Sequence, residues 1–301
     1  MYLQSILQKG NLRQATGRVM VDHLLYTQLR GSQPSEPHPS HRLEEVPESK
    51  IHLCAPTMGG YSLVSKDWGR FVVDRLSEIV WDDDAFSHLV LDDDTKSLVK
   101  SIVSVDQTRL ITDFISGKSG GFIIVLHGKP GTGKTLTAEA AAERVRKPLM
   151  IVSGAELANP GPGPSVGVER LLQNVFDLAK AWDALVLIDE AEVYLEARSF
   201  GDVQRNAMVS IFLRLLEYHH QVVFLTTNHI TRLDSAFKSR IAVTIRYPDL
   251  SIPARAEIWK RFLERAGVFI KDSLEKNRPN EVTSADLDVL TASELNGRYC
   301  F

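Results

Sequence analysis

The sequence has little of three features that would place it in a special class of protein. It contains two cysteines among 301 residues, too few for a disulfide framework, and this favours a reducing compartment. No apolar run approaches the ~18 residues of a membrane span. The net charge is -3, which disfavours nucleic acid as a partner. We therefore expect an intracellular, soluble protein without a membrane span, in the cytoplasm or nucleus rather than the mitochondrion.

One stretch, GFIIVLHGKPGTGKTL at positions 121–136, indicates a phosphate-binding loop. Phe122 to Leu126 is a short apolar run that is typical of a strand buried on both faces. Gly128 to Thr135 then fits the pattern G-x-x-x-x-G-K-[ST]. Leu136 to Val145 is rich in Ala and Glu, which favour helix. This strand, loop and helix order is the context that the motif requires, whereas a plain glycine-rich turn would need neither neighbour.

The residue types in this loop suit the binding of ATP with Mg²⁺. Glycines allow the backbone to aim N–H groups at phosphate oxygens, and the helix N-terminus adds its positive dipole. Lys134 can bridge the β- and γ-phosphates, and the Thr135 hydroxyl can ligate Mg²⁺. The predicted nucleotide contacts in the loop are Gly128, Pro130, Gly131, Thr132, Gly133, Lys134, Thr135 and Leu136.

Strand and helix patterns alternate after the loop. Helical stretches at Val168–Ala181 and Gln204–Tyr218 separate further apolar runs. Those runs are Leu149–Val152, Ala184–Ile188, Val222–Thr226 and Ile241–Ile245. Alternation of this kind predicts an α/β protein with a doubly wound, parallel, five-stranded sheet.

Polar residues follow two of these strands, where the active site of such a sheet is expected. Asp189 and Glu190 come directly after a buried run, and Asn228 ends the next one. Asp189 is predicted to hold Mg²⁺ and Glu190 to polarise the attacking water. Asn228 is predicted to contact the γ-phosphate or that water. The alternatives are a helix cap for the acids and a turn residue for Asn228.

The N-terminal third carries less information. Residues 1–50 are interpreted as a segment with short helices at Tyr2–Leu29 and a flexible linker, and residues 51–100 as a region that flanks the core. Acidic clusters at Asp82–Asp84 and Asp92–Asp94 suit the first turns of helices, with a metal site as the alternative. A helix is predicted from Asp94 to Ile115.

Together these residues resemble the AAA+ ATPases. GKPGTGKT is similar to their Walker A motif, LVLIDEA at 185–191 to Walker B, and Thr226-Thr227-Asn228 to the sensor 1 strand. Further short segments resemble a group of fungal AAA ATPases. These segments are Trp68-Gly69, Arg205-Asn206-Ala207, Phe212–Tyr218 and Tyr247–Leu250.

The resemblance implies an ATPase domain at 101–250 and assembly into a homo-oligomer, a hexamer in the family. In that family an arginine reaches the γ-phosphate of the neighbouring subunit, and Arg240 matches its position better than Arg232 or Arg246. The alternative for Arg240 is a surface arginine or a local ion pair. Lys134, Glu190, Asn228 and Arg240 are therefore the expected catalytic set.

Two departures from the family pattern stand out. The segment Leu157–Gly167, where many relatives have an aromatic pore loop, has three prolines and no aromatic residue. Residues 251–301 resemble a small helical lid that begins with Ser251 as a helix cap. Arg298 resembles a nucleotide-contacting sensor 2 residue, and the lid is expected to be truncated after it.

Two functions remain open at this point. The first is Mg²⁺-dependent ATP hydrolysis that drives remodelling of an unknown protein client. The second is a nucleotide-gated scaffold with little or no turnover. A clamp-loader-like role on nucleic acid is a weaker third reading because of the net charge.

Overall fold

The computed structural model describes residues 2–5, 17–29, 47–104, 121–158, 164–192, 203–219, 221–271 and 281–292. The chain divides into two compact units, residues 1–81 and 82–301. The domain boundaries expected near residues 50, 100 and 250 stay predictions.

The first unit contains an antiparallel sheet that the sequence did not indicate. Its strands are β1 (Tyr2–Ser5), β2 (Gly17–Val21), β3 (Thr57–Ser62), β4 (Asp67–Val72) and β5 (Leu76–Ser77), in the order β4-β3-β2-β1-β5. Helix α1 (His23–Leu29) packs against β3, and the Tyr61 and Trp68 rings lie 5.3 Å apart. Among the described residues of Tyr2–Leu29, the expected short helix is α1, whereas Tyr2–Ser5 and Gly17–Val21 are strands that pair with β5 and β3.

The second unit contains the predicted parallel sheet, and the predicted fold class is confirmed. Its strands are β6 (Ile123–Gly128), β7 (Leu149–Ser153), β8 (Leu185–Asp189), β9 (Val223–Thr227) and β10 (Val243–Tyr247). Their order is β10-β6-β9-β8-β7, with every neighbouring pair parallel. Strands β6, β8 and β9 are buried on both faces over most of their length, which explains why they appear in the sequence as apolar runs.

The second unit also contains helices. Within the described residues they are α2 (Asp93–Ser104), α3 (Lys134–Val145), α4 (Gly154–Ala158), α5 (Pro164–Ala181), α6 (Val203–Tyr218), α7 (Ser235–Lys238), α8 (Ile252–Arg265) and α9 (Ser284–Ala292). Apolar residues of α2 and α3 share one buried cluster with Leu126, Phe224 and Ile245 of the sheet. The second half of the helix predicted over Asp94–Ile115 lies outside the described residues.

Two helix starts confirm capping predictions made from the sequence. The carboxylate of Asp92 accepts the Thr95 N–H at 2.7 Å, and hydrogen bonds from Thr95, first from its side chain and then from its backbone, lower the pKa of Asp92. The hydroxyl of Ser251 accepts the Ala254 N–H at 3.3 Å and caps α8. Asp82 instead accepts the N–H of Asp84 within a turn, at 3.1 Å.

The C-terminal part of the described chain contains α8, α9 and a small parallel pair of strands, β11 (Phe269–Lys271) and β12 (Glu281–Thr283). The two helices pack on each other. None of the helices in the described ranges is both long and apolar enough to span a bilayer.

Candidate functional site

The loop between β6 and α3 has the backbone shape that phosphate binding requires. Gly133 has φ +97°, a left-handed conformation that glycine adopts without strain, and α3 begins directly after it. Gly128 leaves no room for a side chain, because a Cβ there would lie 2.5 Å from the Tyr247 carbonyl oxygen. Thr132 closes the turn by donating its hydroxyl to the Lys129 carbonyl at 2.8 Å. The loop therefore presents its backbone at the N-terminus of a helix.

The ammonium group of Lys134 lies inside this loop. It donates to the carbonyl oxygens of Gly128 at 2.7 Å and Lys129 at 2.8 Å, and to Oδ1 of Asn228 at 3.0 Å. The residue is 8% exposed. Two side chains predicted to act on the same phosphate are thus brought together from different strands.

Thr135 and Asp189 form a second pair. The Thr135 hydroxyl lies 3.2 Å and 3.3 Å from the two carboxylate oxygens of Asp189. A hydroxyl beside a carboxylate, next to a loop that suits phosphate, is the oxygen-rich donor set that Mg²⁺ prefers. These two side chains therefore fit the predicted magnesium site.

Glu190 has an unusual backbone. Its φ is +54°, in the left-handed region that non-glycine residues rarely occupy. Its N–H donates to the Thr226 hydroxyl at 2.9 Å, and the same hydroxyl donates to Asp189. Strained backbone of this kind is concentrated at functional sites, where the surrounding structure holds it. The observation agrees with a functional role for Glu190, which stays a prediction.

Asn228 is held by a residue that the sequence did not single out. Its N–H donates to Oε1 of Glu192 at 2.7 Å. Glu192 lies two positions after Glu190, in the segment that follows β8. The sequence does show Glu192 as a third acidic residue in the run Asp189-Glu190-Ala191-Glu192. Its contact with Asn228 could not be predicted from this run, because Asn228 lies 36 positions away.

Arg240 is not in contact with this group within the chain. It donates from Nη1 to the Ala236 carbonyl at 2.8 Å and from Nη2 to Glu217 at 3.0 Å. This local ion pair is the alternative to an arginine finger, and the role across a subunit boundary stays a prediction. The other two arginines considered have different places: Arg232 ends a short 3-10 helix, and Arg246 lies on β10 opposite His127.

Two titratable side chains beside the loop have shifted pKa values. Burial, then the charges of Arg246 and Lys134, lower the pKa of His127 below its ordinary value of 6.5. On α3, burial, then the charges of Asp189 and Glu143, raise the pKa of Glu139. Carboxylates thus destabilise one another near Asp189, and a bound cation would relieve this repulsion.

Some expected residues lie outside the described part of the chain, and others lie in the loop or in the first turn of α3. Arg298 and positions 159–163 of the Pro/Gly segment lie outside the described residues. Leu136 lies in the first turn of α3 and is 47% exposed, so it is accessible to a ligand. Pro130 and Gly131 lie in the loop itself, and their nucleotide contacts stay predictions.

Comparison with known proteins identifies the family of the sheet domain. Residues 124–249 match the model described as "ATPase family associated with various cellular activities (AAA)". The outer mitochondrial transmembrane helix translocase of Danio rerio is 31% identical over 153 residues, 48% of this chain and 41% of that protein. The 26S proteasome regulatory subunit 8 homolog of Encephalitozoon cuniculi is 33% identical over 149 residues, 46% of this chain and 37% of that protein. The chain thus spans about two fifths of the length of these curated relatives.

A solved structure described as "Structural Basis for Katanin Self-Assembly" has a similar fold. Its TM-score is 0.52 at 23% identity, and the alignment covers 73% of this chain and 68% of that chain. At this identity the likeness concerns the fold alone.

Proposed function

Because residues 124–249 of this chain are an ATPase domain of the AAA family, we propose that the protein binds ATP with Mg²⁺ and hydrolyses it. The observation that carries this proposal is one cluster at the carboxyl ends of β6, β8 and β9. In it Lys134 lies 3.0 Å from Asn228, and Thr135 lies 3.2 Å from Asp189. Cation, amide, hydroxyl and carboxylate are the groups that phosphoryl transfer requires.

Each residue has a proposed task. The loop backbone and Lys134 hold the phosphates and neutralise their charge. Thr135 and Asp189 would hold Mg²⁺, which supplies a positive charge next to the phosphate oxygens. Glu190 accepts a proton from the attacking water, and Asn228 orients that water or the γ-phosphate through its amide.

The proposal extends to assembly. Arg240 lies outside the cluster of its own chain, and we infer that it acts on ATP bound to a neighbouring copy. A homo-oligomeric ring, with six subunits by analogy with the family, would bring Arg240 to that site. The self-assembly reported for katanin supports this extension by fold analogy only.

A protein client is the proposed target of the hydrolysis energy. Two relatives are, by their names, a transmembrane helix translocase and a proteasome regulatory subunit, which supports work on proteins. The intracellular location expected from the composition also stays a prediction.

A second function, a nucleotide-gated scaffold with little turnover, is favoured by one observation. Arg240 is engaged by Glu217 of its own chain, and a finger held in this way would not reach another subunit. Steady-state ATP turnover measured against protein concentration distinguishes the two. A rate per chain that rises with concentration supports the ring ATPase, whereas nucleotide binding with no turnover at any concentration supports the scaffold.

A further inference from the structure

The hydroxyl of Thr226 connects the two acidic residues of the site. Thr226 is the penultimate residue of β9 and is 1% exposed. Its hydroxyl donates to Oδ1 of Asp189 and accepts the N–H of Glu190 at 2.9 Å. One hydroxyl can donate once and accept in addition, so both contacts are chemically compatible.

This contact lies where the regular pairing of the strands ends. The last register pair between β8 and β9 is Ile188 with Leu225. Beyond it, the Ala191 N–H donates to the Thr226 carbonyl at 3.0 Å. The backbone and the side chain of Thr226 therefore both hold the turn that carries Asp189 and Glu190.

The turn needs such a hold because Glu190 is in a left-handed conformation. A residue with φ +54° and a side chain keeps this conformation only where its surroundings fix it. Gly154 also contributes, because it has no side chain. A Cβ at this position would lie 2.5 Å from the Glu190 carbonyl oxygen. Thr226 holds the N–H side of Glu190, and Gly154 makes room on the carbonyl side.

We propose that Thr226 is a positioning residue that sets the orientation of both carboxylate-bearing residues at once. This inference rests on the proposed ATPase function. The hydroxyl of Thr226 orients the carboxylate of Asp189 for cation binding. Through its bond to the Glu190 N–H, it also fixes the backbone from which the proton-accepting side chain of Glu190 extends. Residues that orient metal ligands in this way typically contribute about 10–100-fold to metal affinity or activity.

The first experiment separates the hydroxyl from the shape of the side chain. Thr226→Val keeps the volume and removes the hydroxyl, whereas Thr226→Ser keeps the hydroxyl. We expect kcat/KM of Thr226→Val to fall by about 10–100-fold or more, and Thr226→Ser to stay close to wild type. A wild-type kcat/KM in Thr226→Val would overturn the proposal. So would a serine variant as slow as the valine variant, because packing would then explain the loss.

The control is a matched substitution far along the chain from the cluster. Thr291 is 2% exposed and donates its hydroxyl to the Asp288 carbonyl at 3.0 Å. Thr291→Val therefore also removes a buried hydroxyl, and its kcat/KM should equal that of the wild type. If Thr226→Val does not fold, Thr226→Ala removes the same hydroxyl with less bulk and takes its place.

The second experiment needs no turnover. A fluorescent, non-hydrolysable ATP analogue is titrated with Mg²⁺ and again with EDTA. We expect the wild type to bind the analogue more tightly with Mg²⁺ than in EDTA. In Thr226→Val we expect this Mg²⁺-dependent increase in affinity to be about 10–100-fold smaller, with the affinity in EDTA unchanged. An unchanged increase in Thr226→Val overturns the role toward Asp189, and so does a wild type that does not respond to Mg²⁺. If the wild-type protein binds the analogue with Mg²⁺ but does not hydrolyse ATP, the proposed ATPase activity is rejected. The titration still tests the role of Thr226 in that case.

Discussion

Nζ of Lys134 lies 3.0 Å from Oδ1 of Asn228, although the two residues are 94 positions apart in the chain. The contact exists because β6 and β9 are adjacent and parallel, so the loop after one meets the end of the other. A lysine between two loop carbonyls and an amide oxygen is held by acceptors that phosphate oxygens can replace. The pair therefore marks the expected position of the terminal phosphate.

Removing this cation should abolish most of the nucleotide affinity. We expect Lys134→Ala to bind a fluorescent ATP analogue roughly 10²-fold more weakly, because a charged hydrogen-bonding group contributes about 1.5–3 kcal/mol. Equilibrium titration measures the change. Lys180→Ala, a lysine in the last turn of α5, is the charge-matched control and should bind normally. Equal affinity in the two variants would show that the loop does not hold the nucleotide.

The carboxylate of Glu190 should matter for chemistry and not for binding. Glu190→Gln keeps the size and the polar character of the side chain but cannot accept a proton as a carboxylate does. We expect turnover to fall by roughly 10²-fold or more, with nucleotide affinity near that of the wild type. Steady-state phosphate release and analogue titration give the two quantities. Glu257→Gln, on the exposed side of α8, should hydrolyse at the wild-type rate, and wild-type turnover in Glu190→Gln would assign the base elsewhere.

The sheet was predictable, and the central site residues could be proposed, because their signals are local. Ile123 to Leu126 are at most 1% exposed, and a strand buried on both faces must be apolar throughout. Lys134 and Asp189 follow such strands inside short motifs whose spacing is fixed by the chemistry of phosphate. Parallel topology then brings motifs from separate strands to one edge.

The features that sequence analysis missed depend on pairing between distant segments. Strand β2 is only five residues long, and its register with β3 depends on residues about 40 positions away. Glu192 and Asn228 meet across 36 positions, and Glu217 and Arg240 across 23. No local periodicity records which polar side chains will meet once strands and helices have packed.

The imidazole of His127 provides a pH-dependent test of the charges beside the loop. Burial, Arg246 and Lys134 together lower its pKa below 6.5. The unfolded chain therefore binds a proton more readily than the folded chain. The contribution of this residue to stability is present above pH 6.5 and is lost as the pH falls through the folded-state pKa. We expect Arg246→Ala to raise the pKa of His127, as measured by NMR titration of its ring signals. Arg246→Lys keeps the charge and should leave the pKa low, and equal pKa values in all three proteins would exclude an influence of Arg246.

The proposed arginine finger, Arg240, provides a test of assembly. Its guanidinium is paired with Glu217 at 3.0 Å, and the Arg240 side chain is 30% exposed. We expect the ion pair with Glu217 to orient Arg240 in a single chain. In an assembly we expect the triphosphate of a neighbouring subunit to replace Glu217, since a planar guanidinium binds phosphate oxygens in two places. Arg240→Ala should then bind ATP normally but lose ~10³-fold in turnover. Wild-type turnover per chain should rise with protein concentration.

Mixing variants tests the same arginine directly. Lys134→Ala subunits lack a working pocket but keep Arg240, whereas Arg240→Ala subunits have the opposite defect. In a mixed ring, an intact pocket can face an intact arginine, so we expect part of the activity to return. Lys134→Ala mixed with Glu190→Gln is the control, because both defects lie in the pocket and no interface is complete. If the first mixture co-assembles and gains no more activity than the control, Arg240 does not act across a subunit boundary, and its pairing with Glu217 is structural.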